Sequence, residues 1–177
     1  NSTDCPGDMP EGLLPQLRRD LVSQTDATPP PPARRYALQS ASSGQFMDVS
    51  GASRSAGGGV IQWPNNGDPN QRWQFDPVSN DVFVIESVNS GLVLDVSGAS
   101  MDPGAAVIQW PWNGGLNQQW YVHFLYDPSS NPTQVVIQSM NSGQVIDLAG
   151  ASLEPGASLI QWPWAGYPNQ IWWRYSA

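Results

Sequence analysis

From Tyr36 onward the chain is built of short runs in which apolar and polar residues alternate, each run closed by Ser, Asn or Gly. Tyr36 to Gln39, Phe83 to Glu86 and Val135 to Gln138 are rich in β-branched and aromatic residues, and each begins eight residues before a glycine (Gly44, Gly91, Gly143). Such runs predict half-buried strands. Three more follow in the first copy, Phe46 to Val49, Val60 to Trp63 and Arg72 to Phe75, and the same three recur twice further on. Four strands in three copies make twelve, and nothing in this region carries a convincing helical period. Asn-Ser-Gly, Ser-Gly-Ala-Ser, Asp-Pro-Gly and Asn-Gly-Gly stand between the runs, supplying the positive or fixed φ that chain reversals need.

The pattern is one unit written three times: SGQFMDVSGASRSAGGGVIQWPNNGDPNQRW, SGLVLDVSGASMDPGAAVIQWPWNGGLNQQW and SGQVIDLAGASLEPGASLIQWPWAGYPNQIW. In every copy an Asp precedes the first Trp by fifteen residues (Asp48 to Trp63, Asp95 to Trp110, Asp147 to Trp162), and a second Trp follows ten later (Trp73, Trp120, Trp172). Gly44 to Gly91 is 47 residues and Gly91 to Gly143 is 52, so the motif is fixed and the connection varies. A period of this size decides the architecture. Residues 36–177 hold all three copies, divided at about 36–82, 83–133 and 134–177, and that length suits one domain with its own core.

Residues 1–35 form an N-terminal arm of different composition. Leu13, Leu14, Leu17, Leu21 and Val22 recur at helical spacing and predict a short amphipathic helix, with Pro29 to Pro32 after it as a stiff extended spacer. The arm reads either as a linker remnant or, the expectation preferred here, as a segment that docks its leucine stripe on the domain or on a second chain. Cys5, the only cysteine, rules out an internal disulfide and either bridges to another chain or stays a free thiol. A homodimer or partner chain is therefore expected to work through Cys5 or this arm. A start at Asn1 without Met predicts a processed, secreted chain, and Asn1-Ser2-Thr3 matches a glycosylation acceptor.

Charge narrows the function. Seven Arg, no Lys and a net charge of −8 argue against nucleic acid, which needs a basic face. No apolar run is long enough to cross a bilayer as a helix, so membrane insertion is not expected. Catalysis lacks its parts: His123 is the sole histidine, Cys5 lies outside the repeats, and no nucleophile stands with a base. No clustering of His, Cys or carboxylates suggests a metal, and Gly57-Gly58-Gly59 has no Lys or helix start after it. No cofactor and no enzyme activity are expected.

What recurs is an Asp, two indoles and an amide pair. Asp48, Asp95 and Asp147 each sit between apolar residues, so strand alternation points the carboxylate away from the core, toward solvent or a groove. There it could accept two charge-assisted hydrogen bonds from neighbouring sugar hydroxyls, or instead bond its own turn. Trp73, Trp120 and Trp172 fit a core position. Trp63, Trp110 and Trp162, each before Pro, offer a flat face to the C–H side of a sugar, with packing as the other reading; Trp112 and Trp164 could widen that face. Asn70, Asn117 and Asn169 suit a sugar contact, and the Gln that follows each suits a structural role.

Together, the thrice-repeated Gly-x-x-x-Asp, Trp-Pro and Asn-Gln-x-Trp motifs resemble those of the ricin-B-type β-trefoil lectins and the related family-13 carbohydrate-binding modules. The resemblance covers Tyr36 to Ala177. It implies an all-β fold with pseudo-threefold symmetry: a six-stranded barrel capped by three hairpins, with one shallow sugar site per repeat. It also implies galactose-type sugars held by Asp48, Trp63 and Asn70, by Asp95, Trp110 and Asn117, and by Asp147, Trp162 and Asn169. The chain departs from many relatives in lacking a disulfide in each repeat. Where the plant toxins place a polar Gln two residues before the stacking aromatic, this chain has Ile61, Ile108 and Ile160, with Gln62, Gln109 and Gln161 one step later as further candidates for sugar contact. The expected function is a secreted, multivalent lectin for glycans. The alternatives are a xylan-type polysaccharide-binding module of a glycoside hydrolase and a protein-binding trefoil such as a protease inhibitor.

Overall fold

The computed structural model describes residues 34–177. The helix and proline spacer expected in the N-terminal arm, and Cys5, lie outside the described residues. The first repeat supplies β1 (Arg34–Ser40), β2 (Phe46–Val49), β3 (Val60–Trp63) and β4 (Trp73–Ser79). The second supplies β5 (Val82–Ser87), β6 (Val93–Val96), β7 (Val107–Trp110) and β8 (Trp120–Phe124). The third supplies β9 (Thr133–Ser139), β10 (Val145–Leu148), β11 (Leu159–Trp162) and β12 (Trp172–Ser176). These are the twelve strands that the alternation predicts, and among the described residues no α-helix joins them. Two strands exceed the sequence pattern: β1 begins at Arg34, opposite Phe75, and β4 runs on to Ser79.

Antiparallel pairing closes six strands into a ring. β1 pairs with β4 and β12, β4 with β5, β5 with β8, β8 with β9, and β9 with β12. Closure removes the sheet edges that would otherwise invite pairing with other chains. The remaining strands form the hairpins β2–β3, β6–β7 and β10–β11, bridged to one another at Gly59 and Ile108, Ala106 and Ile160, and Ile61 and Ser158. A barrel capped by three mutually bridged hairpins is the β-trefoil. The longer spacing after the second repeat falls in the loop 125–132 between β8 and β9.

The core is filled by equivalent residues from the three copies. Leu38, Ile85 and Ile137 meet Met47, Leu94 and Ile146, all fully buried, in one cluster that also contains Val49, Val96 and Leu148. Trp73, Trp120 and Trp172 belong to the same cluster and expose no surface. Three buried indoles supply much of the apolar area of a domain this small and without disulfides. Their N–H groups are not equivalent. Trp73 Nε1 donates to Met47 O and Trp120 Nε1 to Leu94 O, each at 3.1 Å, whereas Trp172 Nε1 has no acceptor.

Glutamine amides lock the copies together. Gln62, Gln109 and Gln161 are fully buried. Gln109 Nε2 donates to Ser53 O and Ser55 O, both at 2.9 Å, in the loop of the first repeat, and its Oε1 accepts from Ser90 Oγ at 2.8 Å. Gln161 makes the same bonds to Ser100 O and Asp102 O in the second repeat and to Ser142 Oγ. Gln62 reaches Ser152 O and Glu154 O in the third repeat and Ser43 Oγ, which closes the circle. This corrects the expectation of sugar contact for Gln62, Gln109 and Gln161. In the hairpin register Gln62 stands opposite core Met47, while Ile61 stands opposite Asp48, so alternation sends the amide inward.

Replacement of Trp73, Trp120 or Trp172 by Phe removes the same ring volume in each case but a hydrogen bond only in the first two. Trp73→Phe and Trp120→Phe are expected to cost about 1 kcal/mol more than Trp172→Phe in urea unfolding. Equal losses would mean that the indole N–H bonds carry no net stability.

Candidate functional site

Each hairpin builds one pocket. After β2 the chain turns through Ser50–Ala52, with Gly51 at φ 62° and Ala52 at φ 50°. Ala99 and Ala151 hold the same left-handed value in the other copies, a conformation that costs a residue with a β-carbon about 1–2 kcal/mol. Outside bonds hold the strained turn in two copies: Asn89 Nδ2 donates to Ala52 O at 3.0 Å, and Asn141 Nδ2 to Ala99 O at 3.1 Å. At the third pocket the corresponding residue is Ser42, which lines the cavity. The same strained turn thus recurs beside a cavity in all three copies.

The aspartates lie on the pocket floors. Asp48, Asp95 and Asp147 are buried, and one oxygen of each accepts from the Gln of the Asn-Gln pair: Gln71 Nε2 at 2.9 Å, Gln118 Nε2 at 2.8 Å and Gln170 Nε2 at 2.7 Å. The same three amides donate to Pro64 O, Pro111 O and Pro163 O, and their Oε1 atoms accept from Asn66 N, Asn113 N and Ala165 N. Both amide hydrogens and the carbonyl oxygen of these glutamines are engaged within the fold, which is the structural role expected of them. A carboxylate offers about four lone-pair sites, so each Asp keeps acceptor capacity for a ligand.

The Trp-Pro indoles form the pocket walls. Trp63, Trp110 and Trp162 are 44%, 42% and 45% exposed, while the Trp that opens the next strand is sealed in the core. Each indole edge rests beside a glycine turn of another copy: a β-carbon at Gly156, Gly57 or Gly104 would lie 3.8, 3.7 or 3.9 Å from Trp63, Trp110 or Trp162. The carboxylate and the indole meet in cavities of about 410, 390 and 490 Å³. Asp48, Trp63 and Asn70 line the first, Asp95, Trp110 and Asn117 the second, and Asp147, Trp162 and Asn169 the third. All nine principal candidates are thus brought together three by three. The asparagines differ in detail: Nδ2 of Asn70 and Asn117 bonds Val49 O and Val96 O, whereas Asn169 Nδ2 turns onto Asp147 Oδ1 at 3.0 Å.

Two further candidates stand apart from the pockets. Trp112 is half exposed and outside the lining, and Trp164 packs against the small apolar cluster of Val136, Val145 and Ile171. The structure adds residues that the motif did not single out. Ile61 and Ile108 face the pockets across the hairpin, and Asn66 and Asn113 line the first two. Asp68 and Tyr167 stand at one shared position where the second copy has Gly115. The Asn-Gly pairs carried only a turn signal, and indeed Asn66 Oδ1 accepts from Asp68 N and Asn113 Oδ1 from Gly115 N. His123 is a β8 residue whose Nε2 lies 2.8 Å from Gln138 Oε1, remote from the three pockets.

Burial raises all three aspartate pKa values above the ordinary range, and the bonds from the Gln and Asn amides oppose this in part; Asp68 raises Asp48 further. The arrangement is an open pocket with a partly desolvated anion on its floor and a flat apolar wall, suited to a ligand that has both adjacent hydroxyls and a C–H face.

The fold and the three pockets define a β-trefoil with repeated Asp/Trp sites. A family profile described as ricin-type β-trefoil lectin domain-like matches residues 27–110 and 116–177, and the chain belongs to that family. Among solved structures it is similar to the designed threefold-symmetric protein ThreeFoil, with 35% identity, a TM-score of 0.73, and coverage of 81% of this chain and 99% of that one. It is also similar to part of an exo-β-1,3-galactanase from Clostridium thermocellum, with 33% identity, a TM-score of 0.75, and coverage of 84% of this chain but 31% of the enzyme. The C-terminal half of an earthworm R-type lectin, solved with GalNAc, shares the fold at 23% identity and a TM-score of 0.63, with coverage of 81% and 99%. No curated protein sequence matches the chain.

The raised aspartate values set a pH dependence. A folded-state pKa above the unfolded one means that ionisation of the three carboxylates costs folding stability at neutral pH, and that this cost is relieved as the pH falls through the folded value. Against an Asp48→Asn, Asp95→Asn, Asp147→Asn reference chain, the native chain is expected to gain relative stability between pH 7 and about pH 4 in thermal unfolding scans. A native chain that instead loses ground over this range would show carboxylates stabilised by their partners.

Proposed function

We propose that the protein is a non-catalytic, secreted lectin that binds galactose-type sugars at up to three sites and gains strength from multivalency. The observation that carries this reading is the pairing, in each pocket, of a buried aspartate with a half-exposed indole. The carboxylate accepts from two adjacent sugar hydroxyls in charge-assisted bonds, the stronger kind. An axial 4-hydroxyl leaves galactose with a continuous C–H face, and the indole covers it while excluding water. Asn70, Asn117 and Asn169 can donate to and accept from a third hydroxyl. Support comes from relatives of the same fold, solved in one case with GalNAc and in another, a ricin B-like lectin from Macrolepiota procera, with lactose.

A shallow site of this kind binds at about millimolar strength, roughly −4 kcal/mol. Linked sites raise the apparent affinity by about a hundredfold or more when one ligand spans them. The three sites are not copies of one another: Asp68, Gly115 and Tyr167 occupy the same place and give an acidic, an open and an aromatic rim.

One observation favours a second reading. The match to 31% of a galactanase fits a module that holds an enzyme on its polysaccharide, with the N-terminal arm as tether. On this reading β-1,3-galactan is a more natural target than the xylan considered from sequence.

Titration with lactose followed by Trp fluorescence should saturate, and a glycan array should rank terminal galactosides first. The Asp48→Asn, Asp95→Asn, Asp147→Asn chain should keep its fold and lose binding by about a hundredfold or more. Silence of the native chain toward every glycan would end the proposal, whereas retention on insoluble galactan without response to free galactosides would favour the second reading. In chains with only the third site intact, Tyr167→Gly should lower lactose affinity by about three- to tenfold, the worth of one aromatic contact. Unchanged affinity would place the Tyr167 ring outside the contact.

A further inference from the structure

The hairpins leave the barrel at the end where β1 finishes and β4 starts. The other end is framed by the start of β1, the β4–β5 turn, the loop 125–132 and the end of β12. This mouth holds a separate cavity of about 470 Å³, a size common for small-molecule sites. Its walls are the rings of Tyr36, Phe75, Phe83 and Phe124, with Arg174 and Arg34 among them.

Arg174 breaks the threefold pattern. It stands two residues after the core Trp172, where the other copies have Phe75 and Val122. Its side chain is only 7% exposed. Its guanidinium lies 4.0 Å from the Tyr36 ring centre and 4.7 Å from that of Phe124, and these faces offset part of the cost of burying a charge. Nη2 donates to Pro128 O at 3.2 Å, but Nε has no acceptor. An arginine cannot shed its proton inside a protein, so a buried guanidinium with an unused N–H is costly unless something accepts from it. Asp81 also lines the mouth but is already engaged in an interaction of its own. Arg34 adds a second positive group, and Asn80 and Ser129 add neutral ones.

We propose that the barrel mouth is a second binding site, independent of the sugar pockets, for a small carboxylate carried on an apolar, ring-sized body. The carboxylate matches the planar fork of Arg174 and takes up its free Nε–H, and the four aromatic rings enclose the apolar body. A neutral sugar lacks the charge for this site, and an inorganic anion lacks the apolar surface that would displace water from the rings.

The test uses the full chain in a buffer free of carboxylates, with benzoate as the probe. Calorimetric titration is expected to saturate at millimolar benzoate, with benzyl alcohol, acetate and phosphate each weaker by about tenfold or more. Arg174→Met, which restores an apolar residue as in the other two copies, should lower benzoate affinity to the same degree and leave the lactose titration unchanged. In 15N-edited spectra of the native chain the Arg174 Nε–H resonance should move with benzoate, a readout that does not depend on the variant folding. The proposal is overturned if benzoate fails to saturate, as it would with the N-terminal arm seated in the mouth. It is equally overturned if acetate or phosphate binds as well as benzoate, if Arg174→Met binds like the native chain, or if the Nε–H resonance stays in place at saturation.

Discussion

A side-chain amide shut away from water holds the three copies to one another. Gln62, Gln109 and Gln161 each donate to two carbonyls of another repeat and accept from a serine hydroxyl of their own. Loss of one glutamine would break three hydrogen bonds at once, two of them between repeats. The next residue in each copy is the exposed Trp63, Trp110 or Trp162. Strand alternation sends one member of the pair inward and the other out, so the bond that joins two repeats also sets the angle of the indole.

The pockets trade folding stability for chemistry. A carboxylate that loses water raises its own pKa and weakens the fold, and a residue with a β-carbon in the left-handed region adds strain beside it. Both features appear three times. Gln71, Gln118 and Gln170 hold each Asp in a fixed position, so the ligand meets an acceptor already oriented and partly stripped of water. This preorganisation is what a shallow site needs, because little other surface is available to hold the ligand.

Symmetry is kept where packing or the shared bonds demand it and relaxed elsewhere. Core residues and clamping glutamines are equivalent in all copies, whereas the rim varies among Asp68, Gly115 and Tyr167, and the place of the bracing Asn89 and Asn141 is taken at the third pocket by Ser42, which lines the cavity. The barrel mouth departs furthest, since a single copy places a guanidinium where the others place apolar groups. Divergence at the rims and mouth, on a conserved frame within one chain, is how one fold can carry several distinct sites.

The repeat, the strand count, the two classes of tryptophan and the Asp-Trp-Asn triplets were legible in the sequence, because each follows from local alternation and from a motif copied at fixed spacing. The hairpin register puts Asp48 and Gln62 on opposite faces. What local alternation could not supply is the partner of each buried polar group, which lies in another copy: Gln109 reads as a sugar amide until the carbonyls of Ser53 and Ser55 are found beside it. For the same reason Trp112 and Trp164 could be offered as widening the indole face, although the lining of the second and third pockets includes Trp110 and Trp162 and neither of these two. Arg174 carried no signal in the sequence, since it stands outside the repeated motif. Closure of six strands into a barrel turned it inward among aromatic rings, and closure depends on contacts between residues as far apart as Tyr36 and Ser176, which no local pattern encodes.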